Sequence, residues 1–165
     1  MIEINTDIVD ELLEQWAGER PGIDASPLGI VVRVQMLAKL LQQRTSGALQ
    51  AHDLKHWEYD VLTVLRRQGT PFELPATAIA EQALLTSGAM TTRIDGLEDR
   101  GLVERRRNKA DRRSMLVRLT NKGLALVDDA IESRINDSKG VLAGLSPDDR
   151  EDLSASLRKL MLTLY

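Results

Sequence analysis

The sequence contains no cysteine and only two histidines in 165 residues. The lack of cysteine excludes disulfide bonds and thiolate metal sites, and it is typical of proteins from a reducing compartment. No apolar run approaches the roughly 18 residues that a membrane-spanning helix needs, and no basic-then-apolar segment opens the chain. We therefore expect a cytoplasmic globular protein that does not associate with a membrane.

The sequence also lacks the motifs of common enzymes. It has no glycine-rich phosphate loop, and neither histidine belongs to a nucleophile motif. His52, His56 and Asp60 recur at intervals of four, as metal ligands on one helical face would, but Asp53-Leu54 looks like a helix start that separates His52 from the others. We predict that the chain is not an enzyme and holds neither a metal ion nor an organic cofactor.

Positive charge is concentrated in one short segment of the chain. The formal net charge is -3, yet the stretch from Glu104 to Arg118 holds seven basic and only two acidic residues. The local charge is therefore +5, and the remaining chain carries -8. A basic surface on an otherwise acidic protein suits binding to a polyanion, although a solvated charged loop would explain the same cluster.

The spacing of apolar residues predicts helices over most of the chain. Ser26-Pro27 is a typical helix start, and Gly69 and Gly101 are typical helix ends. The predicted helices cover the segment from Ile8 to Trp16 and residues 27–50, 54–68, 75–83, 86–100, 121–142 and 148–164. The pattern changes after Gly101, where Leu102-Val103 and Met115–Leu119 are typical of strands and residues 108–114 of a hairpin tip.

This order of helix, short helix, turn, helix and basic hairpin predicts a winged helix-turn-helix. The fold class is mainly α with a small β-wing. We assign residues 1–50 to N-terminal helices that contribute to dimerisation and a hinge, residues 51–120 to the DNA-binding domain, and residues 121–165 to C-terminal dimerisation helices.

The helix from Thr86 is the candidate for recognition of DNA. At about 100° per residue, Met90, Ile94 and Leu97 form its core stripe. Small and hydroxyl side chains away from that stripe permit a close approach to base edges, although an ordinary amphipathic surface helix has the same pattern. The candidate contact residues are Thr86, Ser87, Gly88, Thr91, Thr92 and Asp95, and Gly96 is expected on the same outward face.

The stretch IAEQALLTSGAMTTRIDGLEDRGLVERR, followed by ADRRSMLVRLTNKG, resembles the MarR family of transcriptional regulators over nearly the entire chain. The resemblance implies that Arg113 at the wing tip enters the minor groove, that Asp111 orients it, and that Arg112 lies beside it. A narrow A·T-rich groove has an enhanced negative potential, which attracts arginine. The wing residues expected to contact double-stranded DNA are Arg107, Lys109, Asp111, Arg112 and Arg113.

The resemblance also implies a homodimer whose terminal helices interlock. Leucines recur at helical spacing near the C-terminus, and Ile8, Leu12 and Trp16 do so near the N-terminus. Such stripes are often intramolecular core, but a terminal helix with little core of its own must bury its face elsewhere. A two-fold dimer implies a pseudo-palindromic operator, and repression relieved by a ligand is the common family behaviour. The C-terminal stripe comprises Leu153, Leu157, Leu160 and Leu164.

The segments EQWAGERPGID, WEYDVLTVLRRQG and RID resemble the urate-responsive branch of the family, the branch of HucR and PecS. That resemblance implies a site for a small aromatic anion, urate or a phenolic acid, formed by Trp16, Asp60, Arg93 and Arg105. The alternative is a buried salt bridge between Arg93 and Asp60, with Trp16 as plain core. Three positions depart from the branch: Thr92 stands for asparagine, Gly96 for arginine and Leu84 for glycine.

Two functions of a different kind remain as alternatives. A winged-helix dimer can act as a protein-interaction scaffold without binding DNA. A MarR-type regulator can also respond to a different phenolic ligand or to none.

Overall fold

The computed structural model describes residues 6–83, 87–108 and 114–164, with only the backbone described at residues 87–89. The described chain forms seven helices and three strands. In chain order these are α1 (Ile8–Glu19), α2 (Ser26–Gln50), α3 (His56–Arg66), β1 (Glu73–Pro75), α4 (Ala76–Gln82), α5 (Ser87–Asp99), β2 (Val103–Arg107), β3 (Met115–Leu119), α6 (Asn121–Val141) and α7 (Pro147–Leu162). The mainly helical fold class predicted from the sequence is confirmed.

The chain divides into two compact units, one formed by Met1–Arg44 with Lys139–Tyr165 and the other by Thr45–Ser138. The second unit extends beyond the predicted DNA-binding segment at both ends, because Leu49 of α2 and Val127 and Ala130 of α6 are buried in the same core as the helices between them. Within the described residues, no helix combines the length and the hydropathy needed to cross a lipid bilayer.

The unit of residues 45–138 is built on a single apolar core. Leu62 and Leu65 of α3, Ile79 of α4, and Leu97 of α5 are fully buried in it. The three strands form an antiparallel sheet in the order β1-β3-β2, with Arg105 opposite Val117 and Leu74 opposite Val117 on the other edge. The sheet therefore closes the core on the side where the basic hairpin begins.

Two details of this unit differ from the sequence prediction. Strand β1 was not predicted, because Glu73–Pro75 is too short to show an alternating pattern. The predicted helix over residues 75–83 includes Pro75, which instead ends β1, and α4 begins at Ala76. Helix α3 begins at His56 rather than at Leu54, because Asp53 adopts a positive φ of 51° and the backbone N–H of Lys55 donates to Glu58 Oε2 at 2.8 Å.

The unit of residues 1–44 and 139–165 buries little of its own apolar surface. Its only buried hydrophobic side chain among the described residues is Val9. Asp7 caps α1, and Arg33 of α2 donates to Asp7 Oδ2 at 2.8 Å and to Asp10 Oδ1 at 2.6 Å. Many large apolar side chains of this unit are exposed, namely Ile8, Trp16, Ile23, Leu28, Ile30, Val31, Met36, Leu37, Leu40, Val141, Leu153, Leu157, Met161, Leu162 and Leu164.

Candidate nucleic-acid interface

Helix α5 presents one polar face to solvent, as expected of a recognition helix. Met90, Ile94 and Leu97 are at most 1% exposed, so the predicted core stripe is confirmed. Thr91 and Thr92 are exposed on the opposite side. Ser87 and Gly88 belong to the first turn of α5, and Thr86 lies outside the described residues. The exposed threonines supply hydroxyl and methyl groups, which suit contacts with bases and phosphates.

Gly96 does not lie on that outward face. It is half-buried, and a β-carbon built on it would lie 3.9 Å from Cη2 of Trp57 in α3. Arg93, one turn earlier, places its guanidinium over the same indole, 5.4 Å from the ring centroid. The prediction for Gly96 is therefore wrong, because the indole of Trp57 fills the space beneath this half of the helix.

Arg105 ties the base of the wing to α5. Its guanidinium donates to the carboxylates of Asp95 and Glu98, and its backbone N–H donates to Glu98 Oε1 at 3.0 Å. Burial lowers the pKa of Arg105, but the hydrogen bonds to Asp95 and Glu98 raise it above the ordinary arginine value overall. Two residues predicted for different jobs, Asp95 for DNA and Arg105 for a ligand, thus form one ion-pair cluster.

The wing is an antiparallel pair of strands that carries charge outwards. Arg107 is exposed at the end of β2, opposite Met115 of β3. Asn108 closes the pair by donating from its side chain to Ser114 Oγ at 2.9 Å. The predicted contact residues Lys109, Asp111, Arg112 and Arg113 lie outside the described residues. The segment that holds these residues is connected to β2 through Asn108 and to β3 through Ser114.

A buried ion pair joins α5 to the beginning of α3. Glu58 is only 3% exposed, and both of its carboxylate oxygens accept from Nη1 of Arg100, at 2.8 and 2.9 Å. Nη2 of Arg100 donates to the carbonyl oxygen of Asp53 at 2.8 Å and to its Oδ2 at 3.1 Å. Lys122 Nζ donates to the carbonyl oxygen of Arg100 at 2.8 Å. We name the Glu58–Arg100–Asp53 cluster the α5 brace.

Sequence reasoning missed the α5 brace. An acid in the first turn of one helix and a base directly after the end of another are both ordinary surface positions. The only available signal was the position of Glu58 between Trp57 and Tyr59, in a segment where the next apolar residues, Val61 and Leu62, are fully buried.

Asp60 lines an open cleft of about 510 Å³ within the same unit. Burial raises the pKa of Tyr59, which lies beside it; Arg134 opposes this rise and Asp60 adds to it. The cleft is lined by Tyr59, Asp60, Thr63, Val64, Arg67, Gln82, Ala83 and Ile131. A volume of this size accommodates a small aromatic molecule.

The four residues predicted to bind a ligand have different surroundings. Among the described residues, Asp60 pairs with His56 Nδ1 at 3.1 Å rather than with Arg93, so the alternative of an Arg93–Asp60 salt bridge is wrong. Arg93 Nη1 is buried and has no hydrogen-bond partner among those residues. Arg105 is held by its two carboxylates, and Trp16 is 45% exposed in the other unit, so it is not plain core within this chain.

The histidines have ordinary partners. His52 Nε2 lies 2.8 Å from Ser133 Oγ, and His56 bonds to Asp60. The part of the chain that the structure describes contains no group of three or more potential metal ligands.

Comparison with known proteins identifies the family. Residues 52–114, which run from the turn before α3 into the wing, match the sequence model of the MarR family. The transcriptional repressor MprA of Escherichia coli (strain K12) is 30% identical over 132 residues, which cover 79% of this chain and 73% of MprA. The chain belongs to the MarR family.

This MarR-family transcriptional regulator is also similar to PecS of Dickeya dadantii (strain 3937), with 27% identity over 152 residues that cover 92% of each chain. Its fold matches the structure of a cysteine-to-serine variant of MarR from E. coli in complex with operator DNA. That match has a TM-score of 0.70 at 22% identity and covers 94% of this chain and 99% of the other. The chain therefore has the winged-helix DNA-binding fold of the MarR family.

Proposed function

We propose that this MarR-family protein is a homodimeric transcriptional repressor that binds a pseudo-palindromic operator. One observation carries the proposal: an exposed threonine face on α5 lies next in the chain to a basic hairpin whose base is tied to that helix by Arg105. A recognition helix in the major groove and a basic wing on the flanking backbone are the two elements that such a module needs.

The exposed apolar helices support the dimer. Of the described side chains in the unit of residues 1–44 and 139–165, one hydrophobic side chain is buried, whereas Leu153, Leu157 and Met161 of α7 are 42%, 39% and 57% exposed. A stripe of this kind is stable in water when a second copy covers it. The two recognition helices of a two-fold dimer then reach half-sites about 34–36 Å apart, one turn of DNA.

Operator binding is tested by mutating the wing. A duplex selected from random DNA by the wild-type protein is compared with a scrambled duplex of equal length, at several salt concentrations. Arg113→Ala should weaken binding to the selected duplex strongly, and it should leave the dimer intact. Arg20→Ala, a change of the same charge at an exposed position in the other unit, is the matched control and should have little effect.

The same titration separates the repressor from its rival. A regulator shows a preference for the selected duplex and an affinity that falls steeply with salt, because several phosphates release counterions. A protein-interaction scaffold shows no such preference. If Arg113→Ala binds the selected duplex with unchanged affinity, the wing tip does not contact DNA as proposed.

We further propose that a small aromatic anion, urate or a phenolic acid, releases the protein from DNA. The cleft supports this proposal, since its lining includes Asp60 and Arg67, and a planar ligand with N–H donors and an anionic oxygen complements a carboxylate and a guanidinium. Arg93 does not line the cleft, and its buried, unpartnered Nη1 is a separate reason to expect an anion near Trp57. Any role of Arg105 requires the ligand to compete with Asp95 and Glu98, so Asp60 and Arg93 are the better residues to test.

Urate, other purines and salicylate are titrated against the protein–DNA complex to test this effector. Release should require Asp60 and Arg93, and it should be lost in Asp60→Asn and Arg93→Ala but kept in Asp128→Asn. If none of the compounds releases the DNA, or if release persists in both variants, this effector site is ruled out while operator binding stands.

A further inference from the structure

The last turn of α5 is held from below by a carboxylate that solvent hardly reaches. Glu58 is 3% exposed and is the only buried acidic side chain among the described residues. Both of its oxygens accept from Arg100, and Oε2 also accepts the backbone N–H of Lys55 at 2.8 Å. A buried carboxylate is tolerated only when its oxygens are satisfied in this way, so the bond geometry at this point is tightly constrained.

Arg100 joins three elements through one planar group. Its Nη1 donates to Glu58 in the first turn of α3, and its Nη2 donates to the backbone carbonyl oxygen and to Oδ2 of Asp53 in the turn after α2. A guanidinium makes such bonds in a fixed fork, which an ammonium group cannot reproduce. The residue sits directly after α5, which ends at Asp99, so these bonds fix the end of the recognition helix against the rest of the domain.

Trp57 lies next to this cluster in sequence and beneath α5 in space. The indole contacts the helix at two successive turns, below the guanidinium of Arg93 and against Gly96. The fluorescence of Trp57, the residue next to Glu58 in the chain, should therefore depend on the position of α5 relative to α3.

We infer that Glu58 and Arg100 are positioning residues for DNA recognition. They hold α5 in a fixed position on α3, and this position raises the affinity for the operator relative to the affinity for other DNA. Arg100 does this without touching bases, because its Nη1 and Nη2 are taken by Glu58 and Asp53. Base contacts require the helix to be placed correctly, whereas phosphate attraction depends mainly on charge. The inference rests on the proposed operator binding and goes beyond it.

Glu58→Gln tests the inference, because the inference and simple charge attraction predict opposite changes in affinity for the selected duplex. The substitution keeps the size of the side chain and removes one negative charge, so a purely electrostatic effect would raise affinity for all DNA. If Glu58 positions α5, affinity for the selected duplex should instead fall about tenfold, the equivalent of one good base contact. Affinity for the scrambled duplex should stay within about twofold or rise.

Asp128→Asn is the matched control. Asp128 of α6 pairs with Arg66 of α3 at 2.6 Å, so the variant also neutralises one carboxylate of an ion pair on α3 but leaves α5 untouched. It should not change the ratio of the two affinities. Arg100→Lys is the second variant, because it keeps the charge and loses the fork; it should lower the ratio as Glu58→Gln does.

A second measurement needs no DNA. The chain has two tryptophans, so Trp16→Phe leaves Trp57 as the only indole. In that background Glu58→Gln and Arg100→Lys should shift the emission of Trp57 and increase its quenching by acrylamide, whereas Asp128→Asn should change neither. Circular dichroism at the working temperature confirms that each variant is folded.

The outcomes are distinct. A lower affinity ratio in both brace variants together with altered Trp57 fluorescence supports the inference, and an unchanged ratio overturns it. Equal losses on selected and scrambled DNA also overturn it. If the wild-type protein itself shows no preference for any duplex, the proposed function fails, and unchanged Trp57 fluorescence then overturns the placement of α5 by the brace as well.

Discussion

Gly123 of α6 lies directly against the backbone carbonyl of Leu102, at the start of the wing. A β-carbon on Gly123 would overlap the carbonyl oxygen and would lie 2.9 Å from the carbonyl carbon. Thr120 strengthens this junction, since its backbone N–H donates to Leu102 O at 3.1 Å and its hydroxyl accepts the N–H of Gly123 at 3.0 Å. Only glycine permits α6 to begin so close to the sheet.

Gly123→Ala should therefore destabilise the protein strongly. The atoms that the new methyl group meets belong to backbone, which cannot rotate away, so we expect a loss of about 3 kcal/mol or more in the free energy of unfolding. Gly140→Ala in the same helix is the control, because no atom lies within 4 Å of its β-carbon position. That variant should gain up to about 1 kcal/mol. Urea denaturation of both proteins measures the difference, and equal stabilities would contradict the contact.

Gly96→Ala should stabilise the recognition helix. The added methyl group meets Trp57 at 3.9 Å, an ordinary van der Waals distance, and alanine is favoured over glycine in a helix interior by about 1 kcal/mol. We expect a higher urea midpoint with an unchanged m-value. A lower midpoint would mean that α5 packs more tightly on Trp57 than this distance indicates.

Glu98→Gln should weaken operator binding by loosening the wing from α5. Glu98 accepts from both the guanidinium and the backbone N–H of Arg105, and losing a charge-assisted hydrogen bond of about 1 kcal/mol corresponds to roughly a fivefold loss of affinity. Glu104→Gln in β2 makes the same charge change, and Glu104 pairs with exposed Arg106 at 2.7 Å rather than with Arg105. Titration of the selected duplex should show no loss for that control.

Because of Asp7, the stability of the N-terminal helix pair should depend on pH in the acidic range. Its hydrogen bonds with Arg33 lower the pKa of Asp7 from 3.8 to about 2. A carboxyl group whose folded pKa is depressed stabilises the fold above its unfolded pKa, and this contribution is lost as the pH falls from about 4 to about 2. The slope of unfolding free energy against pH in that window should become shallower in Asp7→Asn, which keeps the helix cap. Arg33→Met should reduce the same slope, because the backbone N–H groups of Val9 and Asp10 still lower the pKa of Asp7. A slope unchanged in both variants would exclude the ion pair as its cause.

Periodicity in the sequence predicted which side chains of a helix are buried. It did not predict which residue of another element each side chain contacts. The stripe Met90, Ile94 and Leu97 follows from 3.6 residues per turn and is buried as expected. Gly96 was misplaced because the wheel of α5 does not show that Trp57 of another helix lies below it. Periodicity likewise indicates which residues share a face, but it does not choose between Arg93 and His56 as the partner of Asp60.

The same reason explains the cluster at Arg105. Its basic neighbours suggested a uniform surface for an anion, and the sequence did not show that Asp95 and Glu98, ten and seven residues earlier, face the same guanidinium. Ion pairs between elements depend on a few tenths of an ångström in the packing of backbone. The family resemblance was more reliable, since it rests on the order of helices, strands and turn residues over residues 52–114.

Few side chains are buried in the described part of residues 1–44 and 139–165, and this affects how operator occupancy depends on protein concentration. With Val9 as its only buried hydrophobe among the described residues, this unit gains most of its apolar burial from assembly in the proposed dimer. Stability and assembly are then one equilibrium, and the melting temperature should rise with protein concentration. Below the dissociation constant of the dimer, the concentration of dimers varies as the square of the total protein. Occupancy of the operator would then respond to a twofold change in synthesis with up to a fourfold change, before any effector binds.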